Sequence, residues 1–226
     1  MLLLIDTSTK NAGVATFEQG QFVQTKTWFS QYNHSQQLFI ALEEMFGSEP
    51  DNFSNISGVG IALGPGGYSS VRSGISVAKT IAFANKIPIY GVNTLDLECF
   101  PMQTSGMKAC SIIEAGKGMV SYAEYDTKGD KINEDKVGPI DEVISQIPVE
   151  TIICGEAVNA YQQDLTINNR HFIRWSSQLT RMWSLGITTE TRENAGAHNS
   201  LNEIEAIYAR PPSIGQPSKK KNSREK

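Results

Sequence analysis

Residues 2–8 read LLLIDTS, a short apolar run that ends at a carboxylate and two hydroxyl side chains. A run of this length that stops at polar, turn-forming residues predicts a buried β-strand leading into a loop. Two more apolar runs, Val14–Phe17 and Phe22–Thr25, flank a turn that contains Gly20. This spacing predicts a β-hairpin, so the chain opens with three consecutive strands.

A helix, a strand, a second helix and a last strand complete the first half of the sequence. The apolar residues of 35–46 recur at helical spacing, and residues 59–63, VGIAL, predict another buried strand. A helix is predicted from about residue 70 to 85, and a short strand over 87–90. This order of elements is that of one complete α/β layered unit.

The second half repeats the same order of elements. Strands are predicted at 109–114, 119–125, 131–134 and 151–154, with a helix over 141–146. Such internal repetition predicts an α/β protein of two related lobes, each a mixed sheet flanked by helices. The predicted first lobe is 1–98, the second is 99–210, and 211–226 is predicted to be a disordered basic tail.

The tail and the rest of the chain have net charges of opposite sign. The net charge is −4, and the last sixteen residues hold five cations and one anion, which leaves −8 for residues 1–210. An acidic body repels phosphate backbones and argues against strong direct binding of nucleic acid by the folded part. The tail is open to two interpretations, a weak RNA contact or a solubilising end.

Hydropathy and cysteine usage indicate a cytoplasmic protein. No stretch approaches the roughly 18 to 20 apolar residues of a membrane helix, and the N-terminal apolar run has no basic flank, so neither a membrane span nor a signal peptide is predicted. Cys99, Cys110 and Cys154 are widely spaced and lack a C-x-x-C pair. They are predicted to be small buried hydrophobic residues and not disulfide partners or zinc ligands.

The three histidines do not predict a catalytic or metal site. His34, His171 and His198 are far apart in sequence, so no two can share a helical face around a metal ion. None lies in a recognisable serine or cysteine constellation. We therefore predict no metal ligands and no nucleophilic active site.

A glycine-rich loop, GPGG at 64–67, lies between a predicted strand and a predicted helix. Bare backbone amides at a helix start can hold an anion, and a carboxylate beside two hydroxyls suits hydrated Mg²⁺. The candidate nucleotide or anion site comprises Asp6, Thr7, Ser8, Gly64, Gly66, Gly67 and Ser69, with ATP and Mg²⁺ as the possible cofactor. The other interpretation is a tight crossover in which the glycines only satisfy backbone geometry.

The second predicted helix carries a stripe of small residues. Gly74, Ala78 and Ala82 follow one another every four residues, while apolar residues cover its other faces. We predict that this face is left uncovered by its own chain and contacts a partner, so that Ala78→Arg would block association and leave the monomer folded. The predicted interface comprises Leu38, Ala41, Leu42, Met45, Arg72, Gly74, Ile75, Ala78 and Ala82. The other interpretation is that all faces pack within the chain.

Several of these motifs together resemble the TsaB (YeaZ) family. In the first half they are IDTS at 5–8, HS at 34–35, GPG at 64–66, and the residues Tyr68, Ser69 and Arg72. Further along they are IP at 87–88, GVNTL at 91–95, GEA at 155–157 with Tyr161, and YARPP at 208–212. The resemblance is strongest over residues 1–96.

The resemblance implies a fold and a role. The fold is that of the actin-like ATPase superfamily, with two RNase H-like lobes. The role is that of a non-catalytic subunit that pairs, through first-lobe helices, with the catalytic TsaD and works with the ATPase TsaE. That complex makes threonylcarbamoyladenosine next to the tRNA anticodon. This chain is expected to contact tRNA only within that complex.

Two alternatives remain at this point. In one alternative, the same first-lobe helices form a homodimer. A small actin-fold ATPase or kinase using Asp6 and the loop at 64–67 is the alternative function. TsaD-like proteins carry a metal-binding pair of histidines on a helix, and this sequence has no such pair.

Overall fold

The structure is a computed structural model that describes residues 1–30, 33–47, 53–174 and 177–208. The predicted tail at 211–226 lies outside the described residues. Among the helices described, none combines the length and the apolar character needed to cross a membrane.

The first half of the chain forms a five-stranded mixed sheet in the order β3-β2-β1-β4-β5. Its strands are β1 (Leu2–Asp6), β2 (Asn11–Glu18), β3 (Gln21–Phe29), β4 (Gly58–Ala62) and β5 (Ile89–Val92). The β1, β2 and β3 strands are antiparallel neighbours, whereas β1, β4 and β5 run parallel. The strand predicted at 2–5 is therefore the central strand of the lobe.

Both faces of the central strand β1 are buried. Leu3 and Ile5 pack with helices α1 (His34–Phe46) and α2 (Tyr68–Asn85) on one face. Leu2 and Leu4 pack on the other face with Met182 and Leu185 of a later helix, α6 (Ser177–Asn194). Burial on both sides explains the uninterrupted apolar run at the start of the sequence.

The second sheet has four strands in the order β8-β7-β6-β9. Its strands are β6 (Ala109–Gly116), β7 (Met119–Tyr125), β8 (Lys136–Pro139) and β9 (Ile152–Cys154), and its helices are α4 (Ile140–Gln146) and α5 (Gln162–Ile167). The pairing of β6 with β7 and β9 repeats that of β1 with β2 and β4, antiparallel on one side and parallel on the other. The predicted repetition of the two lobes is thus present in the topology.

One predicted strand of the second lobe is misplaced. Residues 131–134 form no ladder; Lys131 makes only an isolated bridge to Tyr125. The turn at 126–130 is held by Asp126, whose side chain accepts from the backbone N–H groups of Lys128 and Asp130. The third strand of this lobe, β8, begins at Lys136.

The C-terminal part of the described chain returns to the first lobe. Helix α6 packs on β1, β2 and β4, and Asn199 bridges to Ile89 in β5. Ile204 lies in the same core cluster as α1 and α2. The predicted extent of the second lobe, 99–210, is therefore too long, because residues 177–208 pack on the first sheet. The missing face of that sheet is supplied from the end of the sequence, which no local pattern reveals.

Helix α3 (Thr94–Cys99) joins the two sheets. The Asn93 side chain caps it by accepting from the N–H groups of Leu95 and Asp96. Its buried residues Leu95 and Cys99 pack against the second sheet, where Cys154 also lies, while Leu97 packs on the first. Cys99, Cys110 and Cys154 are buried free thiols, as predicted. Burial raises the pKa of Cys110 well above its ordinary value.

Candidate functional site

A buried cluster of charged groups closes the cleft between the two sheets. Arg181, on α6, has no solvent exposure and lies among three carboxylates. Its Nε is 2.6 Å from Asp6 at the end of β1, and its Nη1 is 2.8 Å from both Glu98 in α3 and Glu156 after β9. One guanidinium therefore ties together residues from both sheets.

Further donors and acceptors complete the cluster. The Nη2 of Arg181 donates to the Thr9 hydroxyl and to the Asn11 carbonyl, and Thr9 donates to Glu156. Burial alone would lower the pKa of Arg181, but the charges of Asp6, Glu98 and Glu156 outweigh it and hold the pKa well above its ordinary value. The arginine is thus a fixed internal cation, and a buried pair of this kind is strongly destabilising to break.

Asp6 does not fit the predicted Mg²⁺ site. Its Oδ1 accepts from the backbone N–H of Ser8 at 2.9 Å and from the Ser8 hydroxyl at 2.6 Å, while its Oδ2 faces Arg181. The side chain is 1% exposed, so a hydrated cation has no access to it. Thr7 is buried as well, and its hydroxyl donates to the Ser70 carbonyl. These contacts give Asp6, Thr7 and Ser8 structural roles that do not require a bound nucleotide.

Local backbone geometry and packing explain why glycine occupies positions 64 and 66. A Cβ at Gly66 would lie 2.0 Å from the Ser8 carbonyl oxygen, and Gly64 has a φ of 93°. The interpretation of this loop as a tight crossover therefore accounts for both residues. Gly67 and Ser69, by contrast, line an open polar cavity at the start of α2.

The small-residue stripe of α2 faces inward, which corrects its prediction as an uncovered face. Ala78 and Ala82 are at most 1% exposed, and a Cβ at Gly74 would lie 2.3 Å from the Thr7 hydroxyl and 3.4 Å from Ile61. Small side chains let α2 lie close on β1 and β4. Of the predicted interface residues, Met45 is half-buried and Arg72 exposed; those buried in the chain's own core are Leu38, Ala41, Leu42, Gly74, Ile75, Ala78 and Ala82.

Another side of the same two helices is apolar and open. A groove of about 550 Å³ runs between α1 and α2, lined by Phe39, Leu42, Glu43, Gly47, Phe53, Ser76, Val77, Thr80 and Ile81. The Phe53 ring stacks on Phe46 at 4.5 Å beside it. Phe39 is 59% exposed, and Phe83, further along α2, is 73% exposed. Contiguous exposed apolar side chains are a feature that protein interaction surfaces share.

An aromatic stack lies at the other end of α2. Tyr68 stacks on Tyr208 at 4.8 Å, and the Arg72 guanidinium lies 4.8 Å above the Tyr68 ring and donates to its hydroxyl. The backbone N–H of Ile207 donates to the Leu63 carbonyl, so the end of the described chain is fixed against the glycine loop. Arg72 is therefore part of a local stack at the N-terminal end of α2.

Sequence reasoning missed Arg181, Glu98 and Glu156. Arg181 lies in a segment without a recognisable motif, and Glu98 and Glu156 are 58 residues apart. One signal was available, since Glu98 falls within an apolar stretch and Glu156 belongs to the GEA motif. An isolated carboxylate among buried residues calls for a cation, but only the fold shows which one.

Comparison with known proteins agrees with this architecture. The model of the TsaD family, described as tRNA N6-adenosine threonylcarbamoyltransferase, matches residues 29–195. The TsaB protein of Bacillus subtilis is 28% identical over 127 residues, 56% of each chain. The Escherichia coli TsaB is 26% identical over 126 residues, 55% of this chain and 54% of that protein. The chain thus spans about half the length of the curated relatives it matches.

Solved structures show the fold. YeaZ from Pseudomonas aeruginosa superposes with a TM-score of 0.69 and 18% identity, covering 92% of this chain and 98% of that one. EutJ from Carboxydothermus hydrogenoformans gives a TM-score of 0.54 at 10% identity over 82% of this chain and 88% of that one. The fold is therefore the actin-like one predicted from the sequence, with two mixed sheets flanked by helices.

The chain belongs to the TsaD family. Within that family it is similar to the TsaB (YeaZ) proteins. The resemblance drawn from IDTS at 5–8 and GPG at 64–66 is thereby confirmed.

Proposed function

We propose that this chain is a non-catalytic subunit that binds a TsaD-like enzyme and supports threonylcarbamoylation of adenosine next to the tRNA anticodon, in the cytoplasm. Family membership supports a TsaD-like enzyme as the partner. The relatives are named either for threonylcarbamoyladenosine biosynthesis or as the threonylcarbamoyltransferase itself. The observation that carries the proposal is the open apolar groove between α1 and α2.

The groove supports a protein partner on physical grounds. Its lining is apolar where Phe39, Phe53 and Val77 meet, and it carries Ser76 and Thr80 at its side. An apolar centre with a polar margin is the usual composition of a protein interface. Two helices with a groove between them accept one or two helices of a partner, packed ridge into groove.

The closed cleft supports the non-catalytic part of the proposal. In an actin-like fold, nucleotide and metal would enter between the two sheets, where Arg181 here joins Asp6, Glu98 and Glu156. A cation built into the protein opposes the entry of a metal ion. The TsaD-like partner would then supply the catalytic centre, and the TsaE-like ATPase and tRNA would join the complex without using this cleft.

Variants of the exposed phenylalanines test the interface. Phe39→Glu and Phe83→Glu place a charge on the apolar surface without removing a core side chain, so each should weaken binding to the TsaD-like chain of the same genome at least about 30-fold. Ile167→Glu is the matched control, since Ile167 is 82% exposed on α5 in the second lobe. Calorimetric titration gives the affinities, and light scattering gives the masses.

The outcomes separate the candidate functions. Unchanged affinity in both phenylalanine variants, or an equal loss in Ile167→Glu, would contradict the assignment of the groove. A homodimer that dissociates on adding the TsaD-like chain means that both contacts share the groove. Turnover of Mg-ATP by the isolated chain would instead favour the ATPase or kinase.

A further inference from the structure

A cavity of mixed charge lies where β5, α3 and α6 meet the second lobe. Its volume is about 340 Å³, within the range of about 300 to 1,000 Å³ that small-molecule sites occupy. Among the described residues, it shares none of its lining with the apolar groove, which lies between α1 and α2 on the other face of the first sheet. The lining includes Val92, Asp96, Phe100, Asp130, Lys131 and Arg192.

The position of the cavity follows from the strand order. Val92 is the last residue of β5, which runs parallel to β4, and ligands of α/β sheets bind outside the carboxyl ends of such strands. At the same edge of the sheet, the end of β1 is occupied by the ion pair of Asp6 and Arg181. The carboxyl end of β5 therefore opens into a cavity, whereas that of β1 is closed by the chain's own side chains.

Arg192, in the last turn of α6, is a fixed cation on the first-lobe wall. Its Nε and Nη1 donate to the carbonyls of Ala197 and Gly91 at 3.1 and 2.9 Å. Its Nη2 donates to the Asn199 side chain at 2.8 Å. These acceptors are neutral, and Arg192 forms no ion pair with a described residue. A guanidinium has more N–H groups than these bonds use, so its remaining donors and its uncompensated charge suit a carboxylate.

Asp130 places a carboxylate on the second-lobe wall. The turn fixes its backbone, because its N–H donates to Asp126 Oδ1 at 3.0 Å and its carbonyl accepts from the Asp126 N–H at 2.9 Å. The Asp130 residue is exposed, and its carboxylate forms no hydrogen bond or ion pair with another described residue. An ammonium group in the cavity is a suitable partner for this carboxylate.

A hydrogen-bonded network joins α3 to the second-lobe wall. The Lys131 Nζ lies 2.7 Å from Asp96 Oδ1 and 2.8 Å from Asp135 Oδ1. The Tyr125 hydroxyl donates to Asp96 Oδ1 at 2.7 Å, and the Asn93 side chain donates to Asp135 Oδ2 at 2.6 Å. Two carboxylates thus share one ammonium group, which leaves an excess of negative charge on this side of the cavity. The same contacts fix the Asp96 side chain before any ligand binds.

We propose that this cavity binds a free α-amino acid with an apolar side chain. Its carboxylate binds Arg192, and its ammonium group binds Asp130 and Asp96. Its side chain lies against Phe100 and Val92. An uncompensated cation on one wall and surplus negative charge on the other are complementary to a zwitterion, whereas a simple anion or cation would suit only one wall. The cavity lies away from the apolar groove, so either assignment can fail without the other.

Derivatives of leucine test the two ends of the ligand separately. N-acetyl-leucine keeps the carboxylate without the ammonium group, and leucine amide keeps the ammonium group without the carboxylate. Binding is followed by the backbone amide resonances of 126–131 and 188–192 at constant pH and ionic strength. L-Leucine should give saturable shifts in both segments, and each derivative should bind at least about tenfold more weakly.

Variants assign each end of the ligand to its partner. Asp130→Asn should weaken leucine binding about tenfold and leave N-acetyl-leucine binding unchanged, because that derivative has no ammonium group. Arg192→Gln should weaken leucine binding and leave leucine amide binding unchanged. Glu150→Gln removes an exposed carboxylate elsewhere in the second lobe and should change none of these affinities.

The Asp130 variant keeps the backbone bonds of its turn, so it decides the matter even where Arg192→Gln fails to fold. No saturable shift with leucine, or equally tight binding of leucine and either derivative, would overturn the proposal. So would equal leucine affinities in Asp130→Asn and Glu150→Gln.

Discussion

The cleft between the sheets and the groove between α1 and α2 differ in what fills them. In the cleft, the chain's own Arg181 meets Asp6, Glu98 and Glu156, and all four are nearly or fully buried. The groove is apolar and open, and Phe39 in its lining is more than half exposed. The place where an actin-like fold would take a ligand is closed from within, while the surface that offers binding energy lies on the outside of two helices.

The largest expected effect compares the two faces of α2. Ala78→Arg forces a charged side chain into the core and should destabilise the chain by more than about 4 kcal/mol, which reverses the expectation from sequence that this variant stays folded. Thr80→Arg, two residues away and exposed in the groove, should leave the free energy of unfolding within about 0.5 kcal/mol and still block the partner. Urea unfolding and calorimetric titration measure the two quantities.

Similar stability of Ala78→Arg and Thr80→Arg would mean that the stripe is not packed on the sheet. Loss of folding in both variants would remove the distinction between the two faces.

The next effect concerns the cleft itself. Arg181→Met leaves three buried carboxylates without their shared cation and should cost about 3–5 kcal/mol of unfolding free energy. Arg174→Met is the control, because Arg174 is exposed and its hydrogen bonds to other described residues go to Asn159 and Gln162; it should cost less than about 1 kcal/mol. Equal losses in the two variants, measured by urea unfolding, would show that the cleft does not depend on the guanidinium.

The sequence predicts the local parts of this molecule well and the distant parts poorly. The central strand at 2–5 and the helices at 35–46 and 70–85 follow from periodicity, because each buries a continuous apolar run or stripe. The inward direction of Gly74, Ala78 and Ala82 could not be deduced from their spacing, since small residues suit a close approach to a sheet as well as to a partner helix. The role of Arg181 depends on contacts up to 175 residues away in the chain.

A smaller effect is expected at Asp6, where structural and nucleotide-binding roles predict different results. Asp6→Asn keeps the shape but removes the charge, and its amide group cannot accept from both Arg181 and Ser8. We expect a loss of about 1–3 kcal/mol of unfolding free energy. Mg-ATP should raise the Tm of neither form.

A rise in Tm with Mg-ATP that is abolished by Asp6→Asn would show that the carboxylate holds a nucleotide-bound metal. Ser76→Ala, on the exposed face of α2, is the control variant, and its Tm should match that of the wild type.

The smallest expected effect is the pH dependence due to His34 beside the cleft. Burial lowers the pKa of His34 from its ordinary value of 6.5, against the opposing influence of the Ser30 backbone and the charge of Asp6. The unfolded chain therefore binds a proton that the folded chain does not take up until lower pH. The contribution is fully present above pH 6.5 and is lost as the pH falls below it, by at most about 1.4 kcal/mol per pH unit.

Urea unfolding in a phosphate-free buffer should show this loss in the wild type and a flatter profile in His34→Gln. His198→Gln should keep the wild-type slope, because His198 is exposed. An identical slope in wild type and His34→Gln would show that the histidine is not buried as a neutral ring.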